Sequence, residues 1–201
     1  MLLLTCGYLA GPVLRSREVL VSLLAFFDGL LFFYFFRFPA VYVFAHELTH
    51  FLVAKLFRRR TGRFTLGNLQ GSVQVDNPNA WIVLAPYFIP FYVIVAMGIF
   101  GLTQLFVFPS PPWAVLVFAF VVGLAYAYHC LMTVVAISHT QADLHIFGPT
   151  FSMALILVCN SAILLLAMLL ASAQWSRAWT IFSTLAMRQG QSLLQLFQPI
   201  P

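Results

Sequence analysis

Apolar runs long enough to cross a bilayer dominate this chain, and they constrain its fold more than any other feature. A spanning helix needs roughly 20 mostly apolar residues. Five stretches meet that need: Val19 to Phe36, Phe38 to Phe57, Ala80 to Phe108, Trp113 to Ile137 and Pro149 to Ala173. In lipid every backbone N–H and C=O must find its partner within the protein, so such runs become helices. Only 7% of the 201 residues are charged, against 62% hydrophobic, whereas a soluble domain carries about 25% charged residues. That excludes an ordinary soluble enzyme and a disordered chain. The net charge of +5 would suggest nucleic acid only if the bases formed a solvated patch. Here they flank apolar runs, so nucleic acid is not an expected partner and the lipid bilayer is. The expected fold is an all-α polytopic membrane protein with about five transmembrane helices.

Residues 1–173 read as a single membrane-embedded domain and 174–201 as an amphipathic or flexible tail. The N-terminal run Leu2 to Leu14 is too short to span and reads as interfacial. The tail mixes Trp175, Trp179 and Phe182 with Arg177 and Arg188, as a surface-lying helix does. Arg15 and Arg17 precede the first run, and Lys55, Arg58, Arg59, Arg60 and Arg63 lie at or after the end of the second. The positive-inside rule then puts the N-terminus and the loop after Phe57 in the cytoplasm. Arg37 and Pro39 leave room only for a tight turn between the first two runs, and Pro86 and Pro90 should kink the third. One stretch, Arg63 to Asn77, is no span. Its β-prone pieces Phe64 to Leu66 and Ser72 to Val75 flank a Gly/Asn turn, which reads as either a small β-hairpin between the second and third spans or a polar connector. Cys6, Cys130 and Cys159 are scattered and show neither ligand spacing nor a disulfide framework.

The second run holds His46-Glu47-Leu48-Thr49-His50. On a helix, residues four apart share a face, so both imidazoles can bind one metal ion. Glu47 lies about 100° around the helix from His46 and can reach the open side of that metal without being a ligand. There it would serve as general base toward a water molecule. The chain holds five His and only Glu18 and Glu47 as glutamates, so chance placement of this pattern is rare. Polar groups inside a membrane are costly and face a protein interior or cavity. The plainer alternative is a hydrogen-bonded cluster between helices.

Catalytic zinc takes a third protein ligand and keeps one position open. The remaining candidates are His129, His139, Asp143, His145, Asp28 and Asp76. Asp143 fits best, since it lies between the fourth and fifth runs on the same inferred side as the site; His139 and His145 remain as alternatives. His129, about two turns inside the fourth run, could orient a ligand or substrate or simply make a core hydrogen bond. Asp28 could be a buried partner from the first run, and Asp76 a turn residue. Asn68, Gln70 and Gln141 could line a polar site. Asn160 reads as a hydrogen bond between helices.

A membrane-embedded HELTH, a short polar hairpin, Ala85-Pro86 in the next run and a distant Asp resemble the site-2-protease-like membrane zinc metallopeptidases, over about Val41 to Asn160. Thr140-Gln141-Ala142-Asp143 resembles the second motif of a compact bacterial branch of that family. The resemblance implies His46, His50 and Asp143 as zinc ligands and Glu47 as catalytic base. It implies peptide hydrolysis within the plasma membrane of a bacterium, on a membrane protein substrate. Better-known members carry Gly after that Asp, where Leu144 stands here, and a Gly-Pro where this chain has Ala85-Pro86. Two other classes compete. A membrane metal-ion transporter would be expected to carry more acids and a His-rich loop. A catalytically silent scaffold would be expected to lack Glu47 or a ligand His, and neither is missing.

Overall fold

The computed structural model describes residues 17–67, 70–107, 110–138 and 142–171. The N-terminal run and the tail from Gln174 to Pro201 lie outside the described residues. The chain is mostly helical, with a small two-stranded antiparallel sheet. Helix α1 (Arg17–Phe35) is joined by a three-residue turn to α2 (Pro39–Leu56), whose first position is taken by proline. Proline suits that position because its missing N–H would have no partner there and its φ is already helical. The Tyr128 hydroxyl donates to the Phe38 carbonyl at 2.7 Å and ties this turn to a later helix.

Helix α2 ends in a turn that reverses the chain. The Arg59 N–H donates to the Ala54 carbonyl at 2.8 Å and the Arg58 N–H to the Lys55 carbonyl at 2.9 Å. Arg58 sits at φ 55, in the left-handed region that closes such a cap. Strands β1 (Thr61–Leu66) and β2 (Gly71–Val75) then run back along α2. They pair antiparallel with Phe64 opposite Val73 and Leu66 opposite Gly71, and a bulge falls between Thr61 and Phe64. The expected hairpin is therefore formed, slightly longer than its two β-prone pieces.

Helices α3 (Ala80–Phe88) and α4 (Phe91–Phe106) meet at 77°. Asn79 caps α3 by accepting from the Ile82 N–H at 3.0 Å. The break falls at Ile89-Pro90, because a residue before proline is pushed out of the helical region; Pro86, expected to contribute to the kink, sits inside α3. Helix α5 (Pro112–Ser138) is unbroken over 27 residues. A short α6 (Ala142–Ile146) leads through Gly148, at φ 85, into α7 (Pro149–Ala171).

Helices α1 and α5 are long and apolar enough to cross a membrane, and the bent α3–α4 pair makes a third if counted as one span. These helices mark a membrane protein. Among the described residues two helices, or three with the bent pair, meet that measure, so the expected count of about five is not confirmed. Helix α2, at 18 residues, is long enough but falls short on composition, since His46, Glu47, His50 and Lys55 dilute its apolar character; α7 contributes an apolar stretch over Pro149–Ile163.

Two cores hold these elements. Helix α1 packs on α5 through small residues: Ser22, Ala25 and Gly29 on one side, Gly123 and Ala127 on the other. A Cβ on Gly123 would run into the Ser22 carbonyl, and one on Gly29 would lie 2.9 Å from the Ala127 Cβ. Such close approach is how membrane helices gain contact, since lipid offers no hydrophobic drive between them. The second core joins α3, α6 and α7 through Val83, Leu84, Tyr87, Phe88, Leu144 and Ile156. Ser152, fully buried, donates to the Leu144 carbonyl at 3.1 Å and clamps α6 onto α7.

Candidate metal centre

The HELTH pentad occupies the middle of α2, where its spacing sets His46 and His50 one turn apart with ring centroids 4.9 Å from each other. Thr49, between them, turns its hydroxyl back to the Ala45 carbonyl at 2.7 Å and is buried on the helix side. The Nδ1 of His50 lies 2.8 Å from the Ile82 carbonyl oxygen. A carbonyl only accepts, so Nδ1 carries the proton and Nε2 is left as a lone-pair donor. This is the arrangement that orients a metal-ligating histidine. His46 packs its ring edge-on to Tyr87 at 5.2 Å, and its Nδ1 is buried with no protein partner among the described residues.

Asp143 arrives from the far end of the chain on α6, held there by the Ser152 clamp. The Tyr87 hydroxyl donates to its Oδ2 at 3.0 Å. One ligand atom from each of His46, His50 and Asp143 lies within 4.8 Å of the others, and all three residues are half-buried. Among the described residues no other trio of His, Cys, Asp or Glu comes together in this way. An orphaned buried imidazole nitrogen, a second imidazole with its proton fixed elsewhere and a carboxylate with an uncommitted oxygen form a group that could hold a metal ion.

Glu47 stands apart from the trio. It is only 9% exposed and turns toward the hairpin, with the Val73 backbone N–H near its carboxylate. Gly71 makes this approach feasible. A Cβ there would lie 2.6 Å from the Glu47 Cγ and 2.9 Å from a Val43 methyl. Beside the pair opens a cavity of about 630 Å³, lined by Arg37, Tyr42, His46, Glu47, Gln70 and Met132 among others.

The other expected residues divide. Gln70 lines the cavity with Glu47. His129 is buried on α5 and shares a small space with His46, without joining the ligand trio. His145 is exposed and is not part of the trio. Asp28, for which a buried partner or a neutral carboxylic acid were the readings, is exposed on α1, because α1 turns its small residues and not its acid toward α5. Asp76 is exposed at the hairpin exit, where its N–H donates to the Arg60 carbonyl. Asn160 bridges α7 to α3, donating to the Tyr87 carbonyl at 2.9 Å. Asn68, His139 and Gln141 lie outside the described residues.

Sequence reasoning missed three contributors: the Tyr87 hydroxyl, the Ile82 carbonyl and Gly71. The first two lie on α3 beside Ala85-Pro86, and only that family-like dipeptide pointed there. A comparison of the chain with protein-family models, with curated proteins and with solved structures finds no match.

Proposed function

We propose that this chain is a membrane-embedded metallopeptidase of the site-2-protease-like type, with zinc held by His46, His50 and Asp143 and a peptide bond of a membrane protein as its target. One observation carries the reading. The third ligand atom is brought to the HELTH face from a separate helix, within 4.8 Å of both imidazoles, while Glu47 stays outside the trio. Zinc bound there supplies Lewis acidity, polarising a carbonyl and making a water molecule more acidic.

The chain's own groups have distinct tasks. The Glu47 carboxylate accepts a proton from water as its oxygen bonds to the scissile carbonyl carbon. As the C–N bond breaks, Glu47 returns that proton to the leaving amine. Tyr87 holds Asp143 by its Oδ2, and the Ile82 carbonyl fixes the proton of His50. A helix hides its carbonyls in its own hydrogen bonds, so the substrate must be extended where it is cut. Strand β2, whose Val73 N–H already faces the site, can hold such a segment by strand addition. The cavity beside Glu47 admits the water that hydrolysis consumes.

The setting follows the same reading: a multi-pass protein of a bacterial plasma membrane, N-terminus in the cytoplasm. The basic residues Lys55, in the last turn of α2, and Arg58, Arg59, Arg60 and Arg63, beyond it, support that orientation. Metal analysis of protein purified without chelator tests the proposal. Wild type and Glu47→Gln should each retain about one zinc, His46→Ala and Asp143→Ala should lose it, and Glu47→Gln should accumulate an uncut membrane protein. A metal-free wild type would overturn it.

A further inference from the structure

Two charged groups line the cavity beside Glu47, and only one of them belongs to the chemistry described so far. Glu47 is one and Arg37 the other; no other residue lining it carries a fixed charge. Arg37 sits in the turn between α1 and α2, with its guanidinium over the Tyr34 ring at 5.8 Å. It has no carboxylate partner among the described residues. A planar guanidinium resting on an aromatic face keeps its donor edge open to an anion.

The helix supplies the ruler. Pro39 and Glu47 are eight residues apart on α2, about 12 Å at 1.5 Å per residue. Arg37 lies just beyond Pro39. An extended chain covers that length in about four residues at 3.3 Å each. Residues along the way, Tyr42 and Val43 from α2 and Val135 and Ala136 from α5, are largely apolar. A peptide laid in this cavity from Glu47 therefore meets apolar walls and then a cation. An acidic group near Glu47 would be repelled; one near Arg37 would be paired.

We infer that Arg37 is a specificity determinant: it selects extended apolar peptides that carry a carboxylate about four residues from the bond beside Glu47. The assignment rests on the peptidase reading of the site. It assigns Arg37 no part in bond cleavage.

The test reads binding without turnover. Full-length Glu47→Gln protein in phosphatidylcholine nanodiscs is titrated with fluorescent apolar twelve-residue peptides bearing one Asp, moved position by position, and with matched Asn peptides. Some Asp position should bind about tenfold more tightly than its Asn match, as a charged hydrogen bond gives. Adding Arg37→Gln should remove that preference while leaving the Asn-peptide affinity unchanged, and Arg37→Lys should restore part of it. Equal binding of every Asp and Asn pair would overturn the inference, and so would a preference that survives Arg37→Gln. Retention of phosphatidylglycerol by Arg37 without any peptide preference would also overturn it, assigning the cation to lipid phosphate. These failures differ from failure of the peptidase reading, which would appear as a metal-free wild type; peptide selection lost with zinc and cleavage intact sinks only Arg37.

Discussion

Asp28 and Glu47 are both acids well inside apolar helices of similar length, 19 residues in α1 and 18 in α2, and the fold treats them oppositely. Helix α1 turns Ser22, Ala25 and Gly29 inward onto α5 and leaves Asp28 outside among Leu24, Phe27 and Leu31. Helix α2 turns its polar residues inward, so that Glu47 and Thr49 are among its most buried positions. The lesson is that an acid in an apolar helix is not by itself a sign of chemistry. What distinguishes Glu47 is its surroundings: a strand that offers an N–H, a glycine that leaves room, and two histidines on the adjoining face.

The sharpest way to break this contrast is to remove both charges in turn. Glu47→Gln should lower peptide hydrolysis about a thousandfold with zinc retained. Asp28→Asn should leave hydrolysis and zinc content unchanged. Equal losses from the two would show that the outward acid also serves the site. Next in size is Gly71→Val. Its side chain must push Glu47 or Val43 aside, and a displacement of about 1 Å at a reacting group can cost roughly a hundredfold. Turnover should fall by that order while zinc titration stays near wild type; a loss of zinc instead would make Gly71 a residue of general packing.

Tyr87→Phe removes one hydrogen bond to Asp143 and little volume. Competition with a zinc-binding dye should read metal affinity about tenfold to a hundredfold weaker, the usual cost of losing a group that orients a ligand. Unchanged affinity would mean that Asp143 needs no such support. The smallest effect on the site should come from Gly123→Val, on the α1–α5 side of the molecule. Overpacking against the Ser22 carbonyl should lower stability by about 1–3 kcal/mol, read by unfolding in detergent, with turnover per folded molecule preserved.

Much of this was legible in the residues themselves. A period of 3.6 places two imidazoles four apart on one face, whatever the rest of the chain does, and the pentad on α2 follows that rule. The hairpin was one of two readings of the β-prone pieces around a turn, and the kink expected from Pro86 and Pro90 falls at Ile89-Pro90. Counting spans was less secure. Apolar runs report mean hydropathy, which the polar residues of the site lower in α2 and which does not foresee the 77° bend between α3 and α4. Tyr87 was illegible for a different reason: a tyrosine in a buried apolar helix looks like packing until a carboxylate from α6 meets its hydroxyl.

The sequence by itself determined the lipid-facing character of the chain and the local geometry of His46, Glu47 and His50, because both depend on composition and on short-range helical period. Only the tertiary structure decided which acid completes the trio, which one is left outside, and which groups hold the ligands. Those outcomes depend on contacts between segments far apart in the chain, where close approach is set by the absence of a side chain at Gly71 and by the Ser152 clamp that carries Asp143 to the face of α2.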